Sequence, residues 1–259
     1  MAKLLVDMGN TRLKYAISTP QRLGRMQAVA PRSFERAIAT ALRGAAGKID
    51  EVVAVSVAGV AIERLLSRTA RRVSDVPVRF IRSTTAATGL RVGYAEPWRL
   101  GADRWVALVG ARSLLRQSRA VLVIDVGTAM TVDLLTAAGR HVGGAISPGP
   151  DLMLQSLLSQ TRGIRARARE SQAPRKPSRP LFADNTRAAI EQGVRYAGAG
   201  FIERSIGEAK KLIGTRPLVL LTGGGAEQLL PLLSSSLRYV PDLVLRGLAQ
   251  FAHSADASR

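Results

Sequence analysis

Two apolar runs in the chain end in the same short pattern of acidic, small and hydroxyl residues. Residues 4–11 read LLVDMGNT, and residues 121–128 read VLVIDVGT, so Asp7 and Asp125 stand almost half the chain apart. A buried strand that ends in Asp-x-Gly places a carboxylate beside a turn whose backbone N–H groups can approach phosphate oxygens. The pair predicts a duplicated site for a nucleotide phosphate and its metal ion.

The first pattern continues with further groups that suit a phosphate. Asn10 and Thr11 are neutral donors, Lys14 is a cation, and Asp7 can anchor a hydrated Mg²⁺. A strand followed by Gly-Asn is also a common hairpin signal, so this stretch alone leaves an ordinary turn equally open. The repeat at Asp125 favours phosphate binding for both stretches.

The second half of the chain adds hydroxyl groups and a glycine-rich loop. Thr128 and Thr131 supply hydroxyls, and Asp133 supplies a carboxylate or is simply a strand residue at a sheet edge. Residues 222–226 read TGGGA after an aliphatic strand. Successive glycines are entropically costly, so we expect them to let a flat ligand lie against the backbone rather than to serve packing. A loose strand-to-helix turn is the alternative.

Phosphoryl transfer to an alcohol needs a base, and the amino-acid composition limits which residue types can supply that base. The chain has no Cys and two His, of which His253 lies in a segment that we expect to be a frayed tail, so a His-based triad is disfavoured. Asp103 opens an expected helix beside Arg104, which can clamp a carboxylate. An Asp at this position is otherwise a helix cap.

The elements that must position these groups alternate between strands and helices, which predicts an α/β fold. Expected strands lie at residues 3–7, 12–18, 51–57, 78–81, 121–125, 129–136, 140–146 and 218–221. Expected helices lie at residues 33–44, 61–72, 103–116, 151–159, 186–211 and 243–251. Residues 162–180 carry seven basic residues and three prolines and are expected to be loop-like, as a basic flap over an anionic ligand or a solvated connector.

Charge and hydropathy indicate whether the chain is a nucleic-acid-binding, membrane or secreted protein. The net charge of +19 favours nucleic-acid binding, but the Arg residues are spread along the whole length and aromatic residues make up only 4%. We therefore favour solvated helix faces and expect no specific nucleic acid. No apolar run approaches the ~18–20 residues of a membrane span, no signal peptide is evident, and the absence of Cys fits a cytoplasmic protein.

Taken in order, the motifs resemble those of type III pantothenate kinases. They are Asp7-x-Gly9-Asn10-Thr11-x-x-Lys14, Gly93-Tyr94-x-x-Pro97-x-x-Leu100-Gly101-x-Asp103-Arg104, Asp125-x-Gly127-Thr128-Ala129-x-Thr131-x-Asp133, Gly143-Gly144-x-Ile146-x-Pro148-Gly149, and Asn185-Thr186-x-x-Ala189-Ile190-x-x-Gly193. The resemblance implies the actin-like ATPase fold, an α/β fold of two duplicated ribonuclease-H-like domains with the nucleotide cleft between them. The expected domains are residues 1–118 and 119–259, with the last helix a candidate to pack back on the first.

The resemblance also implies an activity. It is transfer of the ATP γ-phosphate to the primary hydroxyl of pantothenate, which gives 4'-phosphopantothenate in the first step of coenzyme A synthesis. The implied partners are pantothenate, ATP, Mg²⁺, a monovalent cation (K⁺ or NH₄⁺) and a second copy of the chain in a homodimer, with the pantothenate pocket near the interface and no membrane.

Carried over by position, the family roles fall on three groups of residues. Asp103 is the implied general base, Asp125 the ligand of the monovalent cation, and Asp7 a neighbour of Mg²⁺. ATP is implied to contact Asp7, Met8, Gly9, Asn10, Thr11, Arg12, Leu13, Lys14, Thr128, Gly223, Gly224 and Gly225. Pantothenate is implied to contact Tyr94, Gly101, Ala102, Asp103, Arg104 and Thr186, with Arg104 on its carboxylate.

Two alternatives stay open at this point. One is another actin-like phosphotransferase or phosphatase with a different small substrate, against which Tyr94 and residues 101–104 argue. The other is a nucleic-acid-binding or regulatory protein on a kinase-like fold, motivated by the charge. Intact carboxylates at Asp7, Asp103 and Asp125 argue against that second alternative.

Overall fold

The chain forms two compact units, each built partly from distant stretches of sequence. The computed structural model describes residues 1–115, 117–170 and 181–253. Unit 1 comprises Met1–Val121, Asp133–Gly143 and the residues from Asp242 onward, and unit 2 comprises Leu122–Val132 and Gly144–Pro241. The domain boundary expected between residues 118 and 119 stays a prediction.

Unit 1 contains a five-stranded mixed sheet. Its strands are β1 (Ala2–Met8), β2 (Leu13–Ser18), β3 (Gln27–Val29), β4 (Ile49–Ser56) and β5 (Val78–Phe80), in the order β3-β2-β1-β4-β5. The central β1 runs antiparallel to β2 and parallel to β4. Leu4, Leu5 and Val6 are wholly buried, which is why the strand reads as a continuous apolar run. Helices α1 (Phe34–Gly44) and α2 (Val60–Ser74) contribute to the same core.

A second five-stranded sheet repeats this arrangement. After the short hairpin β6 (Ala86–Ala87) and β7 (Leu90–Arg91) and helix α3 (Ala102–Ser113) come β8 (Val121–Val126), β9 (Ala129–Leu135) and β10 (His141–Pro148), and later β11 (Leu218–Thr222) and β12 (Arg238–Tyr239). Their order, β10-β9-β8-β11-β12, matches that of the first sheet strand for strand. The predicted α/β fold and its duplication are confirmed.

The remaining helices are α4 (Pro150–Gln160), α5 (Arg162–Glu170), α6 (Thr186–Ile213) and α7 (Leu243–His253). In unit 1, α7 packs on α3 through two glycines. A Cβ atom on Gly247 would lie 1.9 Å from the Val106 carbonyl oxygen, and one on Gly110 would lie 2.3 Å from the Leu243 carbonyl oxygen. The two helix backbones therefore touch, and α7 fixes the position of α3.

Three expectations from the sequence were wrong in detail. Residues 162–170 are helical rather than loop-like, because Ala, Arg and Glu are good helix formers and the prolines begin only at Pro174; residues 171–180 lie outside the described part. Helix α3 ends at Ser113 rather than at residue 116. His253 belongs to α7 and its Nε2 lies 3.1 Å from the Ser18 hydroxyl, so it is not in a frayed tail.

Among the described residues, no helix combines the length and the apolar character that crossing a bilayer requires.

Candidate active site

The first Asp-x-Gly stretch is the turn of the β1–β2 hairpin in unit 1. Asp7 pairs with Lys14 and Met8 with Leu13 in the antiparallel register, so residues 9–12 form the turn. Directly opposed residues project to the same face of a sheet, which places the Asp7 carboxylate and the Lys14 ammonium on one side. Asp7 is half-buried, whereas Asn10, Thr11 and Arg12 are exposed. The hairpin interpretation is thus correct, and residues 10–12 of its turn are exposed.

The second Asp-x-Gly stretch is the turn between β8 and β9, and backbone hydrogen bonds within unit 2 hold this turn in place. The Gly127 N–H donates to the Ala129 carbonyl over 3.0 Å, and the Gly149 N–H donates to the Thr128 carbonyl over 2.8 Å. Gly149 is also the N-cap of α4. A helix N-terminus beside an exposed turn gives an environment that favours phosphate.

The glycine loop packs directly against this turn, which corrects the expectation that its glycines serve no packing. Gly223 has φ +97°, and a Cβ there would lie 2.4 Å from both Asp125 Oδ1 and the Val126 carbonyl oxygen. The Gly225 N–H donates to the same Val126 carbonyl over 2.8 Å. Gly223 and Gly225 therefore both pack closely against the Val126 backbone, whereas Gly224 is exposed.

Asp103 lies in the first turn of α3, whose N-cap is Gly101. Its Oδ1 accepts a hydrogen bond of 2.8 Å from the Arg104 backbone N–H, and a Cβ on Gly101 would lie 2.7 Å from that oxygen. Burial raises the pKa of Asp103, the Arg104 backbone and charge lower it, and Asp133 raises it again, with a net increase. A carboxylate with a raised pKa is a better proton acceptor at neutral pH.

Arg104 makes a buried ion pair that the sequence analysis did not anticipate. Its Nε donates to Asp133 Oδ2 over 2.8 Å, and its Nη2 donates to Oδ1 over 2.6 Å. Its Nη1 donates to the Tyr94 hydroxyl over 3.1 Å. Burial disfavours the ionised form of Asp133, but hydrogen bonds from His141 and Arg104 outweigh it and lower the pKa of Asp133. The structure therefore brings Tyr94 and Arg104 together around a charged pair.

His141 completes this cluster, and the sequence analysis assigned no role to it. Its Nε2 lies 2.9 Å from Asp133 Oδ1, and the side chain is fully buried. The hairpin could have revealed it: the Thr136 N–H bonds to the Arg140 carbonyl, so Asp133 and His141 lie diagonally on one face of the β9–β10 ladder. Gly139, with φ +81°, marks that tight turn.

Of the other predicted substrate residues, Ala102 begins α3 next to Asp103, and Thr186 begins α6 in unit 2. The N-cap of α6 is Asn185, whose side chain accepts a hydrogen bond of 2.9 Å from the Ala188 N–H. Thr186 is half-buried, so part of its side chain is open to a ligand.

Comparison with solved structures bears on the fold. Component A of (R)-2-hydroxyglutaryl-CoA dehydratase from Acidaminococcus fermentans is similar over 96% of this chain and 95% of its own, with a TM-score of 0.52 and 13% identity. A likeness at that identity bears on the fold alone. Together with the duplicated sheets, it confirms the actin-like ATPase fold.

Comparison with protein families and curated sequences bears on the family. The family described as type III pantothenate kinase matches residues 3–208. Type III pantothenate kinases from Xanthomonas campestris pv. campestris and Aromatoleum aromaticum are 38% and 39% identical, each over 98% of this chain and 99% of the relative. A third, from Nitrosococcus oceani, is 34% identical over 99% of this chain and 96% of the relative. The chain therefore belongs to the type III pantothenate kinase family, a family of kinases.

Proposed function

We propose that this kinase transfers the γ-phosphate of ATP to the primary hydroxyl of pantothenate and so forms 4'-phosphopantothenate, the first intermediate of coenzyme A synthesis. The observation that carries the proposal is the start of α3. There a half-buried carboxylate with a raised pKa, Asp103, stands next to Arg104, which is held with Tyr94 in one cluster. These residues combine a base for an alcohol with donors for an acid group, and pantothenate carries both an alcohol and a carboxylate.

The proposed reaction uses the protein mainly for positioning and charge compensation. Asp103 accepts the hydroxyl proton while the hydroxyl oxygen bonds to the γ-phosphorus and the bond from phosphorus to the ADP oxygen breaks. Arg104, Tyr94, Gly101, Ala102 and Thr186 bind pantothenate.

ATP is proposed to contact both Asp-x-Gly turns. The exposed turn after Asp7 and the Lys14 ammonium suit the phosphates, while Thr128 and the loop Gly223–Gly225 suit the rest of the nucleotide. Mg²⁺ supplies charge compensation on the phosphates, and Asp7 would hold it through its water shell. Among the described residues, no group of three or more acidic or His side chains could form a metal cage. That fits Mg²⁺, which usually takes one or two carboxylates and keeps several waters.

Asp125 suits a monovalent cation because its carboxylate oxygen lies in an oxygen-rich environment. Gly223 packs closely against both Asp125 Oδ1 and the Val126 carbonyl oxygen, so these two oxygens lie near each other beside the Gly223 backbone. Carboxylate and carbonyl oxygens are the donors that K⁺ binds.

We predict that Asp125→Ala removes most of the dependence of turnover on K⁺ or NH₄⁺, because the carboxylate of the proposed site is lost. The measurement is ADP release at increasing KCl or NH₄Cl, with ionic strength kept constant by a bulky organic cation. An unchanged response to K⁺ would exclude Asp125 from this role.

The experiment that tests the proposed function is ADP release with ATP, Mg²⁺ and K⁺, with and without pantothenate, followed by the mass of the product. We expect ADP release that depends on pantothenate and a product heavier by one phosphoryl group. Absence of turnover in both K⁺ and NH₄⁺ would contradict pantothenate as the substrate.

We also propose a cytoplasmic homodimer. Several large apolar side chains are exposed, among them Trp98 at 69% and Ile146 at 64%, and such side chains often mark contact surfaces. We expect light scattering to give twice the chain mass of 27.6 kDa. A monomeric mass at micromolar concentration would contradict the dimer.

A further inference from the structure

Two buried residues beside the proposed substrate site have no role in the reaction as described so far. They are Asp133 and His141, which with Tyr94 and Arg104 form the cluster described above, hereafter the Arg104 cluster. All four lie in unit 1. Asp133 and His141 are 2% and 0% exposed, so neither is placed to meet a substrate directly.

Asp133 determines which donors Arg104 can offer. The fork from Nε and Nη2 to the two carboxylate oxygens fixes the plane of the guanidinium group. One N–H of Nη1 goes to the Tyr94 hydroxyl. The donors that remain are one N–H on Nη1 and one on Nη2. Asp133 compensates the positive charge of Arg104. The two remaining N–H groups therefore bind a ligand through the direction of their hydrogen bonds and not through an uncompensated positive charge.

His141 contacts both side chains that bind Arg104, namely Asp133 and Tyr94. Its Nε2 lies 2.9 Å from Asp133 Oδ1, and since an ionised carboxylate only accepts hydrogen bonds, Nε2 must carry the hydrogen. Its ring centroid lies 5.6 Å from that of Tyr94. A Cβ on Gly93 would lie 1.9 Å from the His141 carbonyl oxygen, so the backbone before Tyr94 rests on the His141 backbone.

His141 also has a feature that destabilises the folded state. Its Nδ1 is buried and has no hydrogen-bond partner in the described part of the chain. A buried polar atom without a partner destabilises the folded state, and an apolar side chain of similar size would avoid that loss. Local costs of this kind are most often tolerated where the residue serves a site.

We propose that His141 is a positioning residue that acts through Asp133 and Tyr94 to fix the direction in which Arg104 presents its remaining donors to the substrate carboxylate. The inference rests on the proposed function. The carboxylate is far along the substrate from the reacting hydroxyl, so its contacts act on the ground state and transition state alike. Such uniform binding appears in KM and leaves kcat little changed.

The test compares His141→Leu, which removes the donor, with His141→Gln, whose amide N–H can replace Nε2–H. We expect His141→Leu to raise the KM for pantothenate by about 10–100-fold, the loss that follows from one or two charge-assisted hydrogen bonds. The kcat and the KM for ATP stay within about threefold of wild type. His141→Gln restores the KM for pantothenate to within about threefold. The matched control is His253→Leu, the other histidine of the chain, which should change neither constant.

A neutral acceptor separates positioning from loss of structure. The N-propyl amide of pantoic acid keeps the reacting hydroxyl and ends in a methyl group, which accepts no hydrogen bond, where pantothenate has its carboxylate. Wild type and His141→Leu should therefore show the same KM for this amide. An equal rise in KM for the acid and the amide would overturn the inference, as would an unchanged KM for the acid. If His141→Leu does not fold, His141→Asn, whose shorter side chain cannot reach Asp133, decides by the same criteria. Wild-type enzyme that fails to phosphorylate pantothenate would instead overturn the proposed function, and the inference with it.

Discussion

Replacing Asp103 by Asn is expected to lower kcat by at least about 10²-fold, the low end for loss of a general base, while the melting temperature stays the same or rises. The amide has the shape of the carboxylate but cannot accept the hydroxyl proton. Burial raises the pKa of Asp103, so the folded protein bears a cost for holding this group ionised. Asn does not bear that cost, and the loss of activity should therefore not be a loss of folding.

The sign of the pH dependence follows from the raised pKa. Protonation of Asp103 stabilises the folded state, so the stability that Asp103 contributes is present at low pH and is lost as pH rises through its folded pKa. The advantage of Asp103→Asn in melting temperature should accordingly be larger at pH 7 than at pH 4. In the wild type, kcat/KM should fall as pH decreases through a pKa above the ordinary value for Asp, and the variant should lack that limb.

A matched control is Asp75→Asn. Asp75 is exposed at the C-terminal end of α2 in the left-handed region, with φ 49°, where Asn is equally well tolerated. We expect full turnover in that variant. Turnover of Asp103→Asn close to wild type would remove Asp103 from the role of base, and a collapse of its melting temperature would show that the carboxylate is needed for the fold.

Replacing Gly247 by Ala is expected to give the largest loss of stability, about 3 kcal/mol or more in the free energy of unfolding. The added methyl would lie 1.9 Å from the Val106 carbonyl oxygen, a backbone atom that can move only if α3 or α7 moves. Because α3 carries Asp103 and Arg104 at its first turn, kcat/KM should fall as well. Urea unfolding followed by circular dichroism measures the first effect, and ADP release measures the second.

Gly207→Ala is the same chemical change as Gly247→Ala, but we expect it to increase the stability of the protein. Gly207 lies within α6, and a Cβ there would have no atom within 4 Å apart from the neighbouring backbone of its own helix. Ala is the better helix former, so this variant should be more stable than wild type by about 0.5–1 kcal/mol. A Gly247→Ala protein as stable as Gly207→Ala would contradict the close contact between α3 and α7.

The sequence predicts best what depends on neighbouring residues. The strands that end at Asp7 and Asp125 and the duplicated sheet follow from local apolar runs and small turn residues, and the matched order of the two sheets confirms them. The contacts of Gly223 with Asp125 and Val126 join distant parts of the chain, so no local pattern distinguishes them from a ligand contact.

The partners of Arg104 were missed for the same reason. An arginine beside an aspartate suggested a carboxylate clamp, yet the nearest carboxylate is that of Asp133, 29 residues away, and it is buried with His141. Helix α5 shows the opposite error, since a high density of charge outweighed helix propensity in the interpretation of residues 162–170. Roles of individual residues toward ATP and pantothenate remain predictions.

The packing of α7 on α3 has a consequence for biosynthesis. A ribosome makes α3 early, but it makes α7 only after every residue of unit 2. At ~5–20 residues per second, α3 therefore waits for several seconds with the Gly110 face open to solvent. During that interval the nascent chain presents an apolar helix surface without its native cover, and a chaperone that binds such surfaces would meet it there. Translation products that stop before Leu243 should accumulate as chaperone-bound or degraded chains rather than as partially active kinase.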